Sequence, residues 1–179
     1  MLVRRVVTAV ATDGRSVVVS DEQLKPITAA MLSTQEMNLV WGADQAFVLP
    51  SDGTLAPTTG FYPPPGGFRF WYFTLPPDSD SVGLPAELDQ DEALREMGEK
   101  LPGLAEVLEA DDPRMHTTDT VDVDLVVSGE VWLELDGGAE VHLRQGDCVV
   151  INGNRHAWHN RSAQTAIIAV AILGAARGA

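Results

Sequence analysis

The chain has 179 residues, 45% of them hydrophobic and 21% charged, which suits a folded domain with a buried core rather than a disordered segment. A formal net charge of -14 argues against binding to nucleic acid or to an anionic membrane through a general basic surface. One cysteine, Cys148, excludes an intramolecular disulfide, and its apolar neighbours predict a small core residue.

The amino-terminal part favours strands. VRRVVTAV (3–10) and SVVVS (16–20) predict a hairpin whose turn contains Gly14, and QAFVL (45–49) predicts a further strand. A Pro/Gly loop then precedes an aromatic strand at 68–75. We expect residues 1–85 to form an amino-terminal β extension with the edge strands of the domain.

Residues 86–109 are the helical region. Apolar residues recur there at spacings of three and four, at Leu94, Met97, Leu101, Leu104 and Leu108. Pro102 predicts a break, with a second short helix after Lys100. We expect a helical insert over 86–112 whose apolar stripe packs on the domain rather than on a partner.

Short strands and turns follow closely from Thr118 onward, as in VDVDLVVS, EVWLEL, AEVHL and CVVI. This density of short strands predicts an all-β antiparallel sandwich or barrel, with its core at 113–173. The last apolar run, TAIIAVAILGAA, is too short to cross a bilayer and reads as a strand buried on both faces. Because the amino terminus also shows no signal-peptide pattern, we expect a cytoplasmic protein.

Polar residues share one side of the first of these strands. Side chains alternate along an extended chain, so one face carries His116, Thr118, Thr120, Asp122 and Asp124. The opposite face is apolar. A second polar set lies about 40 residues later along the chain, where His156, Trp158 and Asn160 share a face.

The first polar set resembles a motif of the cupin superfamily. Cupins typically carry His-x-His-x(3,4)-Glu-x(6)-Gly on one strand of a small jelly-roll barrel. This chain has His116-x-Thr118-x(3)-Asp122-x(6)-Gly129. Threonine therefore stands at the second histidine position, and aspartate stands where cupins have glutamate.

The second polar set resembles the other cupin motif, Gly-x(5)-Pro-x-Gly-x(2)-His-x(3)-Asn. Here it begins at Gly146 and ends with Gly153-x(2)-His156-x(3)-Asn160, without the proline and with the first spacing one residue short. The segments PPPGGFRF, LPGLAEVLEADDPRMH and GNRHAW resemble a little-characterised bacterial group of single-domain cupins with His-x-Thr…Asp in the first motif. The resemblance implies an all-β cupin jelly roll.

The resemblance further implies that His116, Asp122 and His156 occupy three of the four usual metal-ligand positions, with Thr118 lining the site. Two imidazoles and a carboxylate suit a divalent transition metal such as Fe, Mn, Ni or Zn. A metal-free pocket stays open as an alternative. In it an Asp–His pair would move a proton beside a carbonyl group.

Other residues complete the expected site and its surroundings. Trp158 is a candidate wall of the substrate pocket, and Arg69 is the best basic candidate for holding an anionic substrate. His142 reads as a solvated surface residue. His159 alternates away from His156, so we expect it to point out of the barrel. Cupins of this size are commonly dimers, so we expect a homodimer with amino-terminal strands added or exchanged across a two-fold axis.

The leading functional hypothesis is a metal-dependent enzyme of the oxygenase, isomerase or lyase type acting on a small organic substrate. Two alternatives remain: a metal-free ligand-binding or sensing cupin, and a metal-free His/Asp acid–base isomerase or cyclase. The fold does not decide between these reactions.

Overall fold

Antiparallel β-sheet dominates the computed structural model, which describes residues 1–32, 34–81 and 89–178. Its ten strands are β1 (Arg4–Val10), β2 (Ser16–Gln23), β3 (Met37–Ala43), β4 (Phe68–Leu75), β5 (Thr120–Ser128), β6 (Glu130–Leu135), β7 (Glu140–Arg144), β8 (Cys148–Asn152), β9 (His156–His159) and β10 (Ala166–Gly174). The described part contains one α-helix, α1 (Gln90–Lys100). Short 3₁₀ turns lie at Ala30–Leu32, Asp78–Ser81, Ala105–Val107 and Asp136–Gly138.

Two of the sheets form the barrel. A five-stranded sheet has the order β3-β4-β10-β5-β8, and a three-stranded sheet has the order β7-β6-β9. Their apolar inner faces meet in a core cluster of Leu75, Val126, Val131, Leu133, Leu143, Ile151, Ala166 and Ile168. The predicted all-β jelly roll is confirmed.

The amino-terminal hairpin, β1 with β2, forms a separate two-stranded sheet. Its turn contains Gly14 at a φ of 84°, a conformation that favours glycine, as the sequence predicted. Arg5 ties the hairpin to the five-stranded sheet, because its guanidinium donates to the Val40 carbonyl and lies 5.8 Å from the Trp41 ring centroid.

Helix α1 packs against the five-stranded sheet. The Asp89 carboxylate caps its first turn by accepting from the backbone N–H of Asp91 and Glu92. Met97 and Leu101, both 1% exposed, pack into a second core cluster that includes Trp71 of β4. The stripe therefore packs on the domain, as predicted. Leu94 is the exception at 45% exposed.

One prediction from the amino-terminal half is wrong. Residues 45–49 form no strand, and Phe47, Val48 and Leu49 are 52%, 83% and 79% exposed. The strand lies earlier, at β3, where it pairs with the aromatic strand β4. Apolar composition alone did not distinguish the two segments, because pairing with β4 decides which one is extended. Residues 86–88 of the predicted helical region lie outside the described residues.

The Cys148 prediction is also wrong. The side chain is exposed on β8 rather than buried in the core. Its neighbours Val149 and Ile151 carry the inward face of that strand. As for membrane insertion, none of the helices that the structure describes has the length and hydropathy needed to span a bilayer.

Candidate functional site

Strand β5 places its polar side chains inside the barrel and its apolar ones outside. Thr120, Asp122 and Asp124 are 2%, 7% and 4% exposed, whereas Val123 and Leu125 are 40% and 38% exposed. A β-strand with one face in the core usually has the reverse pattern. Two carboxyl groups in an apolar interior carry a desolvation cost, so this reversal indicates a functional interior.

Two histidines from distant parts of the chain lie side by side. His116 and His156 exchange two backbone N–H···O bonds, both of 3.0 Å, and their ring centroids are 4.2 Å apart. His116 also forms a bridge with Leu108, so it is held between β9 and the segment that follows α1. Backbone pairing thus brings together two histidines that are 40 residues apart in the sequence.

The two imidazoles have the same hydrogen-bonding arrangement. His116 Nδ1 lies 3.0 Å from the Arg114 carbonyl oxygen, and His156 Nδ1 lies 3.0 Å from the Asn154 carbonyl oxygen. Because a carbonyl only accepts, each Nδ1 carries the proton. Each Nε2 therefore has a free lone pair, which is the arrangement that metal-binding or proton-accepting histidines require.

Burial keeps both imidazoles neutral. It lowers the pKa of His116, while the Arg114 carbonyl opposes the shift. Burial together with the neighbouring His116 lowers the pKa of His156 to about 4. At neutral pH both rings therefore offer nitrogen lone pairs rather than positive charges.

The two aspartates of β5 show the opposite shift. Burial raises the pKa of Asp122 to about 6, partly offset by a hydrogen bond with Thr120. Burial and the neighbouring Asp122 raise the pKa of Asp124 to about 8. Asp122 Oδ1 and Asp124 Oδ2 have no hydrogen-bond partner among the described residues. Orphaned buried oxygens of this kind fit a site that receives a ligand or an ion.

The predicted metal ligands His116, Asp122 and His156 face one interior, but their ligand atoms are not all within 4.8 Å of one another. Among residues 1–32, 34–81 and 89–178, one group of three has its ligand atoms within 4.8 Å of one another, and it is a different group. His156 pairs with Leu135 in the three-stranded sheet, whereas Asp122 pairs with residues of the five-stranded sheet. Facing sheets lie about 10 Å apart, and aspartate is shorter than glutamate by about 1.5 Å. The donor types fit a divalent metal, but the carboxylate must approach the imidazoles to complete the set.

A pocket of about 450 Å³ lies beside this interior. Its wall includes Thr118 and Tyr62 but none of the three predicted metal ligands. Thr118 is buried, and its hydroxyl lies 2.7 Å from that of Thr120. Burial and the charges of Asp122 and Asp124 raise the pKa of Tyr62, so its phenol stays protonated. Tyr62 and Thr118 therefore link the pocket wall to the buried carboxyl groups. Tyr62 was not among the site residues predicted from the sequence.

Arg69 does not have the substrate-binding role that the sequence suggested. It is fully buried, and its guanidinium donates to the backbone carbonyls of Gly60, Ala43 and Phe68 and to the Asp44 carboxylate. Each of its three nitrogens is used within the protein, so no donor is left for an anionic substrate. Arg69 instead fastens the loop that contains Gly60 to the sheet.

Trp158 lies beside the histidine pair and also packs on the barrel core. Its ring is perpendicular to that of His156, with 6.4 Å between the centroids, and it contacts the cluster between the two sheets. Asn160 is buried, but its amide donates to the carbonyls of Leu75 and Gln164. Asn160 therefore holds the turn after β9 rather than facing a ligand.

The group whose ligand atoms lie within 4.8 Å of one another is Glu134, Glu140 and His159, and it could hold a metal ion. Pairing places these residues on the side of the three-stranded sheet opposite the barrel core. His159 Nε2 lies 2.7 Å from a Glu134 oxygen, and Arg161 forms a two-pronged ion pair with Glu140. Internal ion pairs thus already occupy these groups. The sequence did not indicate this cluster, because its members come from three strands.

Its neighbour His142 is a surface residue, as predicted: its Nε2 lies 2.8 Å from Glu130, and its ring stacks on Trp132. His159 does point away from the barrel interior. It is nevertheless only 4% exposed, because Arg114 and Glu134 contact both of its ring nitrogens.

No family model matches the chain. It is 37% identical over 70 residues to "Phomopsin biosynthesis cluster protein C'" of Diaporthe leptostromiformis, covering 36% of this chain and 37% of that protein. It is 41% identical over 51 residues to "Oryzines biosynthesis cluster protein J" of Aspergillus oryzae, covering 28% of each. The chain thus spans about a third of the length of the curated relatives it matches.

Among solved structures, the chain is similar to the cupin domain of Schizosaccharomyces pombe Cnp3, with 6% identity and a TM-score of 0.47 over 96% of this chain and 87% of that one. The protein is a β-barrel of two facing antiparallel sheets.

Proposed function

We propose that the protein binds a small organic molecule inside the barrel and acts on it as a metal-dependent enzyme. His116, His156 and Asp122 would hold the metal, and Thr118 and Trp158 would line the substrate site. The observation that carries this proposal is the pair of neutral imidazoles, half-buried His116 and buried His156, whose Nε2 atoms are both unprotonated.

Each residue has a defined task in this proposal. The Arg114 and Asn154 carbonyls fix the tautomer of the two histidines, so both rings present a ligand nitrogen without rearrangement. Asp122 supplies a carboxylate that is ionised above a pH of about 6. A bound divalent metal would supply Lewis-acid or O₂-binding chemistry. The buried walls exclude bulk water from the reacting groups.

The names of the curated relatives support small-molecule chemistry, since both are described as biosynthesis cluster proteins. They do not define the reaction. Oxygenation, isomerisation and elimination all remain compatible with two imidazoles and a carboxylate.

A metal-free acid–base enzyme is the second candidate. One observation favours it: the described residues do not bring Asp122 and both imidazoles within 4.8 Å of one another. With a pKa of about 6, Asp122 would exchange a proton near neutral pH without any metal. A metal-free binding or sensing role rests on the same observation, and it predicts ligand binding without turnover.

Metal titration separates these candidates. The full chain, freed of metal with a chelator, is titrated calorimetrically with Zn²⁺, Mn²⁺, Ni²⁺ and, under anaerobic conditions, Fe²⁺. We expect one ion per chain, and we expect His116→Ala and His156→Ala to weaken binding by about 100-fold or more, since each removes a ligand. His142→Ala is the matched control, because His142 lies on the outer face.

The proposal fails if none of the four ions binds, or if the interior histidine variants bind as tightly as the His142 control. Glu134→Gln is measured in parallel, because a site at the outer cluster would respond to this variant and not to His156→Ala. A metal-free enzyme would bind no ion. It would still lose turnover in His156→Ala.

We further propose that the protein is a cytoplasmic homodimer. The apolar outer face of the five-stranded sheet supports dimerisation: Val123, Leu125, Val150 and Leu173 are 38–55% exposed there. Addition or exchange of amino-terminal strands across the two-fold axis is part of this proposal. Light scattering on the wild type and on Val150→Asp tests it. A monomeric wild type would contradict the proposal, as would an unchanged dimer in the variant.

A further inference from the structure

We propose that the interior site selects a ligand that carries a cationic amine, and that Asp124 is the residue that receives it. The proposal rests on the proposed function, because it assumes that the barrel interior is the ligand site. It adds the chemical class of the ligand and a specificity residue that the metal-binding motif does not contain.

Asp124 is the first ground for this inference. Its side chain is 4% exposed, and its Oδ2 has no hydrogen-bond partner among the residues that the structure describes. The metal proposal does not use it. Asp122 lies two residues earlier on the same face and also has an unpartnered oxygen. A bound metal would occupy Asp122, and Asp124 would remain without a partner.

Charge complementarity is the second ground. Within the described ranges, no arginine or lysine forms an ion pair with either interior carboxylate. Arg69 lies in the same row of the sheet, since both Asp122 and Arg69 pair with Ile172, but its nitrogens are bonded elsewhere. His116 and His156 are neutral. The described residues therefore supply no cation to these two acids, and an ammonium group of a ligand would pair with the ionised form of Asp124.

The aromatic side chains nearby are the third ground. Asp124 and Trp71 both pair with Val170, so they lie on one face of the sheet, about 10 Å apart by strand spacing. Phe61 stacks on Trp71 with 4.7 Å between centroids, and Tyr62 meets Phe61 edge-on at 4.9 Å. Aromatic rings stabilise organic cations through cation–π attraction.

The pocket beside this interior is compatible with a cation. Tyr62 and Thr118 belong to the wall of the 450 Å³ pocket, and that wall contains no arginine or lysine. Its one charged residue is Asp119, which forms an ion pair with Arg177. A small amine in this pocket would thus meet no repelling charge from the residues that line it.

The test compares three probes that share a benzene ring and differ in charge: benzylammonium, benzyl alcohol and benzoate. The full chain, kept metal-free with a chelator, is titrated with each probe while the backbone amide signals of Thr118, Thr120 and Asp124 are followed by NMR. We expect benzylammonium to bind at least about tenfold more tightly than benzoate, because a charge-assisted hydrogen bond in a desolvated site has that worth.

Asp124→Asn identifies the residue responsible. The variant keeps the shape of the side chain but cannot ionise to pair with an ammonium group, so we expect benzylammonium affinity to fall by about tenfold or more while benzyl alcohol affinity changes less than about threefold. Asp111→Asn, at an exposed position, is the matched control and should bind all three probes as the wild type does. If Asp124→Asn does not fold, the charge preference of the wild type decides the proposal by itself.

Three results would overturn the inference: benzoate binding as tightly as benzylammonium, an unchanged charge preference in Asp124→Asn, or no binding of any probe. The outcome is separable from that of the metal proposal, because these titrations contain no metal. His156→Ala is expected to lose metal binding and to keep the preference for benzylammonium. If the wild type binds metal but shows no amine preference, this inference fails and the proposed function stands.

Discussion

The free energy of unfolding of the wild type should fall as the pH rises, and Asp124→Asn should abolish most of this decrease. The carboxyl group is protonated in the folded protein up to a pKa of about 8, whereas its ordinary pKa is 3.8. Between these values the unfolded chain is ionised and the folded chain is not. The stability that this group contributes is therefore fully present below pH 3.8 and is lost as the pH rises through 8.

The size of the effect follows from linkage. Each pH unit between the two pKa values removes about 1.4 kcal/mol of folding free energy, so about 5 kcal/mol is lost between about pH 4 and about pH 8. Asp124 is almost fully buried, so solvent screening does little to reduce this loss. A domain of this size has a total stability of about 5–15 kcal/mol, which makes the loss measurable.

Urea unfolding of the chelator-treated protein, followed by tryptophan fluorescence, measures this directly at several pH values from about 5 to about 8. The free energy of unfolding of Asp124→Asn minus that of the wild type should rise by several kcal/mol across the series. Contributions from His116 and His156 are common to both proteins and cancel. The exposed Asp111→Asn variant should run parallel to the wild type.

The reasoning would be refuted if the two curves for wild type and Asp124→Asn ran parallel within about 0.5 kcal/mol over the whole range. That result would mean that Asp124 is ionised in the folded protein at the same pH as in the unfolded chain. A carboxylate with an unshifted pKa is hydrated or paired, so Asp124 would not be an unpartnered group available to a ligand.

Two further predictions concern the framework of the site. Arg69→Met should lower the free energy of unfolding by about 3–5 kcal/mol in urea titrations, because it leaves a carboxylate and several carbonyls without their donor; a loss below about 1 kcal/mol would contradict the bonding described for Arg69. Gly129→Ala should cost about 3 kcal/mol, since a Cβ there would lie 2.9 Å from the Ala166 Cα at a φ of 79°. Gly137→Ala, with a φ of 72° and nothing within 4 Å, should cost only about 1 kcal/mol, and equal losses would contradict the steric argument.

Side-chain periodicity predicted the barrel half of the fold well. The alternation through β5 assigned Thr118, Thr120, Asp122 and Asp124 to one face, and the structure buries all four. This prediction succeeded because strand alternation is a local property of the backbone.

Properties that depend on neighbouring strands were not predictable in the same way. Nothing in the sequence around Arg69 shows that Gly60, Ala43 and Asp44 would take up its hydrogen bonds. Likewise the motif spacing predicted that Asp122 shares an interior with His116 and His156, but not the separation between the two sheets that carry them. Distances across a barrel depend on sheet packing, and local spacing carries no information about it.

The bridge from Leu108 through His116 to His156 gives the helical insert an influence on the chemistry of the barrel. Arg155, the residue before the catalytic candidate His156, strengthens this connection. Its guanidinium donates to both carboxylate oxygens of Glu109 at 2.7 Å. One imidazole thus lies on β9 of the barrel and the other on the segment between α1 and β5. Sequence changes confined to this segment would alter the distance between the imidazole nitrogens of His116 and His156 without changing the barrel. The preferred ion or reaction would change with that distance.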